Sequence, residues 1–541
     1  MDTLDIAVAS LPDEPKLREA GRALVEQPAP TALAAVLAAL VDRQTPELCA
    51  RLEVVFAEEH PDAARQAAVV GWSKRDAAAL AAAGPGLRAS TDTVRRGVRL
   101  EVFDKTGAAA LAKVSADALG QVTALVLADE TAGRGLAKLL QSRKLVRLAQ
   151  LDHGGGRLGA AAIVALAAHP TLQVLRLDDS GIDRKGIAAL EGLPSLHTLR
   201  VVREGFGDAG VAAMARLPHL RSLAIAACDL GPAGAAALKP LTGLQALHLG
   251  GEAIGPKGAA AVASLGGLVE LGLSNCGIKD AGATAISGLS GLRVLQLGAS
   301  LAAGIGTAGV KAIARLRELR RLDLPGNEVS DKDLQALGAL PQLEEVYLYG
   351  TDAAERTAKA LAKGAPRLRA LQMSMPDIGA PVTKVIGGMK ALEALHLGHI
   401  RLDARALANL VKLPALRQLR IDGSHCGAAG ARAIGEVGTL LELDMGSCSL
   451  GAEGASAIAE LELLNVLDLS GNAIGDAGCA ALTRLPRLRS LRLGMNEITD
   501  AGLVPLAKLH RLRSLELGAN ALTAAGVKRL TAALPRVNIQ R

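Results

Sequence analysis

Residues 488–509 read LRSLRLGMNEITDAGLVPLAKL, and their spacing decides the fold. Leu488, Leu491 and Leu493 fit the pattern L-x-x-L-x-L, in which a short strand turns alternate side chains inward. Asn496 then occupies a tight turn, Ile498 returns to the core, and Asp500, Ala501 and Gly502 open a short helix. Going outward from this stretch, the pattern starts at Leu172, Leu196, Leu220, Leu244, Leu268, Leu292, Leu319, Leu343, Leu368, Leu392, Leu416, Leu440, Leu464, Leu488 and Leu512. Of the fourteen intervals, twelve are 24 residues, one is 27 and one is 25. Weaker units begin at Val122 and Leu145, and Leu534, Val537 and Ile539 form a last partial one. Eighteen residues after each start, shifted once by an insertion, the residue is always apolar, from Leu190 and Met214 to Leu506 and Leu530. That column is the buried face of a helix. One such unit cannot cover its own apolar face, so neighbours must stack into an α/β solenoid.

These units resemble the leucine-rich repeat family in its short-repeat, ribonuclease-inhibitor-like branch. Helix openings such as Gly107-Ala108-Ala109-Ala110-Leu111 and Gly234-Ala235-Ala236-Ala237-Leu238 are also similar to bacterial GALA-type repeats. The resemblance covers residues 95–541 and implies a horseshoe: a parallel sheet on the concave face, short helices on the convex side. It further implies that the turn side chain at Asn327, Asn472, Asn496 and Asn520 hydrogen-bonds backbone from unit to unit. Function is not implied so specifically, because repeat proteins share a scaffold and differ in surface.

Residues 1–90 read differently. Helical periodicity over 14–26, 31–42 and 46–59 is broken at Pro28, Pro30, Pro46 and Pro61. A small α-helical cap is expected there, because an open solenoid end exposes a row of leucines. The domain division expected is therefore 1–90 for the helical cap or adaptor region and 91–541 for the solenoid, regular from 172. GALA-type effectors of plant-associated bacteria carry an F-box ahead of their repeats, and Leu11-Pro12 is similar to its opening. That resemblance implies an adaptor that recruits a ubiquitin-ligase component. A repeat-only GTPase activator is the other alternative.

Composition narrows the function. Of 541 residues half are hydrophobic, but only three Phe, two Tyr and one Trp are present, so the core is aliphatic. Net charge is +7, without a Lys/Arg run of five or more, and stacking rings for nucleic acid are almost absent. No charge-free run of eighteen apolar residues suggests a membrane span, and Asp2 and Asp5 stand where a secretory signal would be basic. A monomeric cytoplasmic protein that binds neither membrane nor nucleic acid is expected.

Enzyme motifs dissolve into the repeat. G-x-G-x-x-G occurs at 154–159, 205–210 and 304–309, but Gly210 and Gly309 are the helix-opening glycines of regular units. The phosphate-loop motif, His-Glu-x-x-His and Gly-x-Ser-x-Gly are absent. Cys228, Cys276 and Cys448 share the turn column with the asparagines, Cys426 replaces a buried Ile, and Cys479 lies on a helix. No catalytic residue, cofactor or metal is expected.

What remains is a binding surface. Residues two, four and six after each start face outward from the sheet, and most are small or charged, among them Val174, Arg176, Ser222, Gly272 and Glu516. The two tyrosines, Tyr347 and Tyr349, both fall in this pattern on one strand, surrounded by Arg321, Asp323, Glu345, Gln372, His396 and His399. Tyr, Arg and His converging on one concavity have the composition of a protein-binding hot spot. Arg420, Asp444, Asp468 and Arg492 form a second, charged strip. Helix-opening glycine is replaced by Asp333, Thr357, Val382 and Ala406, and the turn column departs at Thr351, Pro376 and Ile400. Lapses of a local rule mark function or strain. The function read here is a non-catalytic scaffold that binds a protein partner on the concave face.

Overall fold

A computed structural model of the chain describes residues 87–92, 97–102, 119, 122–127, 136–141, 144–158, 160–217, 219–299, 304–374 and 379–541. Most of the helical region expected over 1–90, including Leu11-Pro12 and Cys49, lies outside them, as do Pro376 and residues 107–111. The chain divides into two compact units, 1–229 and 230–541.

In the first unit, strand Leu87–Asp92 runs antiparallel to Gly97–Val102. Residues 87–90 are thus strand, not the end of a helical region. They hydrogen-bond Gly97–Val102 on the edge opposite Val122–Leu127. Val122–Leu127, Gln150–Gly154, Val174–Asp178, Thr198–Val202 and Ser222–Ala226 continue that sheet in parallel. Helices such as Ala160–Ala167 and Gly207–Met214 connect them.

The second unit carries thirteen parallel strands among its described residues, from Ala246–Gly250 to Asn538–Gln540, in sequence order. Each of the first twelve is followed by a crossover helix, as parallel pairing requires. The leucine columns register across the ladder: Leu419 opposes Leu443, Leu443 opposes Leu467, and Leu467 opposes Leu491. Leu488, Leu491, Leu493 and Ile498 are all at most 1% exposed, and the helix column from Leu190 to Leu530 is buried throughout.

Two polar devices join successive repeats. In the turn column, the Asn496 side-chain carbonyl accepts from Asn472 N (3.0 Å) and Ile474 N (3.3 Å), while its amide donates to Leu469 O (2.8 Å) and Gly494 O (3.1 Å). Asn472 and Asn520 do the same one repeat earlier and later. The column is also used by residues with half the bonding capacity. Cys276 and Cys448 thiols only donate, to Leu249 O (3.0 Å) and Ile421 O (3.1 Å). The Glu204 carboxylate only accepts, from Ser180 N and Gly181 N, and burial pushes its carboxyl up.

The second device is an aspartate at the first turn of one helix that caps the next. Asp476 accepts from Thr499 N (2.8 Å) and Thr499 Oγ1 (2.6 Å), and Asp500 repeats this on Thr523 (2.9 and 2.6 Å). Asp280 accepts from Gly306 N and Gly309 N, so it stabilises the N-terminal end of the following helix. Helix-opening Gly502 is explained by the same packing. A Cβ there would lie 2.4 Å from Asp476 Oδ1 and 2.8 Å from Ile498 Cγ2.

Candidate protein-binding site

The site lies on the sheet of the second unit, and strand register builds it. The central outward column runs Gln296, Asp323, Tyr347, Gln372, His396, Arg420, Asp444, Asp468, Arg492 and Glu516, each opposite the next. The cluster around Tyr347 and the charged strip are therefore one continuous line of side chains. Arg321 and Glu345 pair in the column beside it.

Around Tyr347 the side chains hold one another. The Arg321 guanidinium carbon lies 4.8 Å from the Tyr347 ring centroid, a cation–π contact. The same guanidinium binds Asp323 (3.0 Å) and Glu345 (3.2 Å), and Tyr347 Oη donates to Glu345 Oε2 at 3.1 Å. Gln296 adds a bond to Asp323 at 2.9 Å. The Asp323 hydrogen bond holds the Arg321 guanidinium even more firmly protonated than usual. Burial, followed by the Glu345 charge, pushes the Tyr347 hydroxyl up, so the ring stays neutral and keeps donating.

Tyr349 is placed differently from the expectation. The strand ends at Leu348, so Tyr349 stands in the turn one residue beyond it, 47% exposed. Its carbonyl still accepts from Gly326 N of the preceding repeat (2.7 Å), but its side chain is exposed in the turn while Tyr347 is braced. The sequence pattern could not separate the two, because the difference lies in Glu345 and Arg321, the neighbours that brace Tyr347. Val174, also expected to face outward, is buried in its column between Gln150 and Thr198.

On the other side of Tyr347, Gln372 Nε2 meets His396 Nδ1 at 2.8 Å. A carboxylate absent from the expected cluster, Asp422, binds both histidines: His396 Nε2 at 3.4 Å and His399 Nε2 at 3.3 Å. The His396 hydrogen bond, helped by the charge of both rings, holds the Asp422 carboxyl below its usual range against partial burial. A signal for Asp422 was present. It stands six residues after its unit start, where its neighbours are Gly398 and Gly446. A Cβ at Gly398 would come within 2.8 Å of Asp422 Oδ1, so the glycine leaves room for this cluster.

In the charged strip, Arg420 approaches Asp444 (3.4 Å), and Arg492 approaches both Asp468 and Glu516 (3.5 Å each). Asp444 and Asp468 are direct ladder partners, and burial together with the Asp468 charge raises the Asp444 carboxyl.

The lapses in the repeat cluster here as well. The Thr351 hydroxyl bonds Leu348 O of its own repeat (2.8 Å), and Ile400 has no polar group, so the turn ladder is interrupted beside both halves of the cluster. Helices Asp331–Leu334 and Ala404–Ala408 are short and pass into 3₁₀ turns at Gln335–Ala339 and Leu410–Lys412. Each is capped by its own Ser330 or Asp403, without the usual glycine.

A family model described as a leucine-rich repeat region matches residues 283–527, and a second, described as a leucine rich repeat, matches 216–239 and 268–287. No curated protein matches the chain by sequence. Among solved structures, a leucine-rich repeat protein of Leptospira interrogans is 20% identical over 78% of this chain and 96% of its own, with a TM-score of 0.40. An internalin of Listeria monocytogenes is 21% identical over 65% and 82%, with a TM-score of 0.35. TLR13, solved in complex with ssRNA13, is 20% identical over 74% and 62%, with a TM-score of 0.42. Among the described residues no helix is long and apolar enough to cross a membrane. With its 24-residue units, parallel ladder and turn asparagines, the solenoid belongs to the leucine-rich repeat family.

Proposed function

We propose that the chain is a non-catalytic scaffold that binds a protein partner across the sheet of residues 230–541. Tyr349 is the projecting anchor, and Tyr347, Arg321 and His396 are the braced floor. The observation that supports this reading most is the cluster's pre-ordering. Arg321, Asp323, Glu345 and Tyr347 already satisfy one another, so little side-chain freedom remains to be lost on association. An exposed ring beside a fixed Tyr–Arg floor has the make-up of a hot spot. The short repeats, with their ribonuclease-inhibitor-like spacing and GALA-like helix openings, supply the rigid support.

The test is affinity capture from the source cytosol with the intact chain and with a Tyr347→Ala/Tyr349→Ala double variant. Each ring is expected to contribute about 2 kcal/mol, or roughly thirtyfold in affinity. A partner retained equally by intact chain and folded double variant would refute a site centred on these rings.

A further inference from the structure

We infer that the partner presents a Lys/Arg-rich segment to the sheet of the second unit. This rests on the reading of that sheet as the binding surface and names the chemistry of what it takes.

The first observation is a reversal of sign. Over residues 230–541 basic side chains outnumber acidic ones, 34 to 27. On the outward columns of the sheet the order inverts, and eight carboxylates face three guanidinium groups. The basic surplus sits instead in the segments that lead into the strands, at residues such as Arg317, Arg320, Arg367, Arg369, Arg511 and Arg513. Some of these are already engaged there: Arg320 with Glu344 (3.5 Å) and Arg369 with Glu393 (2.8 Å). They do not neutralise the sheet.

The second observation concerns the arginines on the face. Arg321 is shared by Asp323 and Glu345, and Arg492 by Asp468 and Glu516. Exposed Glu442 makes no ion pair among the described residues, and Asp444 and Asp468 stand side by side on adjacent strands. Arg420 reaches Asp444 at 3.4 Å and Arg492 reaches Asp468 at 3.5 Å, but Glu442 beside them has neither, so an added cation there would offset like-charge repulsion that the chain relieves only in part.

The third observation is apolar. Val466, 37% exposed, opposes Glu442 on the next strand, which gives the methylene stem of a Lys or Arg a seat beside the carboxylates. The exposed Tyr349 ring offers a second cation a π face. Carboxylates, an aliphatic seat and a free ring on one sheet favour a basic peptide segment over a free inorganic cation. An acidic partner would be repelled from the face and drawn to the basic segments at the strand entrances.

The test titrates the full chain into fluorescein-labelled octa-arginine and octa-glutamate at 50 and 200 mM NaCl, read by anisotropy. Octa-arginine is expected to bind, with affinity that falls steeply with salt. The triple variant Glu442→Gln/Asp444→Asn/Asp468→Asn is expected to weaken it at least tenfold. The carboxamides keep the oxygens that cap Gly446 N and Ser470 N, and unchanged far-UV circular dichroism confirms folding. A matched loss of charge off the sheet, Glu453→Gln/Glu460→Gln/Glu462→Gln, should stay within twofold of the parent. Equal losses in both triple variants, no loss in the first, or tighter binding of octa-glutamate would overturn the inference. The Tyr347→Ala/Tyr349→Ala variant in the same titration separates the two readings. Loss only with the carboxamides supports the basic partner and counts against the rings as anchors. Loss only with the tyrosines overturns the basic partner and leaves the ring-centred site standing.

Discussion

The repeats around Asn472, Asn496 and Asn520 and those around Thr351 and Ile400 have the same leucine columns and equally buried cores, but their turns differ. In the first region a single buried amide satisfies four backbone groups from two repeats. In the second, Thr351 turns to its own Leu348, and Val329 N of the preceding repeat bonds the local Asn327 O (2.9 Å). The leucine stack, the strand ladder and the Asp331 cap on Ala354 N and Thr357 N therefore hold the repeat without the turn amide. The turn amide adds rigidity, and it lapses beside the surface that carries both tyrosines, His396 and Asp422. Departure from the repeat gives that region a distinctive surface.

The contrast can be broken most directly at the turns. Asn496→Ala strips four buried hydrogen bonds and leaves backbone donors and acceptors unsatisfied, an expected loss of about 3 kcal/mol. Thr351→Ala removes one local bond and should cost about 1 kcal/mol. Hydrogen exchange read by mass spectrometry would show deprotection over 469–498 in the first variant and little around 348–353 in the second. Equal losses would mean that the central repeats depend on their turns as much as the regular ones do.

Helix packing gives a smaller, sharper test. In the irregular block the helix Glu355–Gly364 meets the 3₁₀ turn Gln335–Ala339 so closely that a Cβ on Gly364 would sit 1.7 Å from Gly338 O. Gly364→Ala must push backbone apart, an expected cost of about 2 kcal/mol. Gly438, in a regular repeat, has open space around its Cβ position, and Gly438→Ala should be close to neutral. Urea denaturation of both variants distinguishes a block held by close helix contact from one that is merely loose.

How much of this was legible in the sequence depends on whether a residue acts within its own repeat or on the next. The leucine columns and the Tyr347–Gln372–His396 alignment were readable, because a fixed period fixes register. Asp500 reads only as a helix opener, since its partner Thr523 belongs to the following repeat. Glu204 does not resemble an asparagine, although it fills the acceptor half of the asparagine's role. Asp422 was visible as a charge among glycines, but its function as the carboxylate between two histidines required the turn that carries His399, whose φ is +58°. That left-handed turn follows the period, recurring seven residues after the start at Asp179, Arg203, Asn275, Ser447 and Met495, so what the period leaves open is only which side chain the turn carries.

The first unit breaks the pattern of satisfied polar groups in another way, and the smallest expected effect tests it. His153 occupies an inward column between Leu127 and Leu177, is 2% exposed, and neither ring nitrogen has a hydrogen-bond partner. Burial lowers its pKa, outweighing its own backbone and the Asp178 charge. The folded state thus holds the neutral ring, whereas the unfolded chain takes up a proton below about pH 6.5. Stability contributed by this group is present above that pH and is lost as pH falls toward the folded pKa, at no more than about 1.4 kcal/mol per pH unit. His169 shifts in the same direction, while buried Glu204, whose carboxyl is raised, works in the opposite sense at lower pH. Comparing the parent with His153→Leu cancels both. The variant is expected to match the parent or exceed it by about 1 kcal/mol at pH 8, since an unpartnered buried imidazole is costly. Its advantage should widen between pH 6.5 and 5. Urea unfolding curves that stay parallel across that interval would show that the ring finds a proton acceptor in the fold, and the difference between the two units would then reduce to their turns.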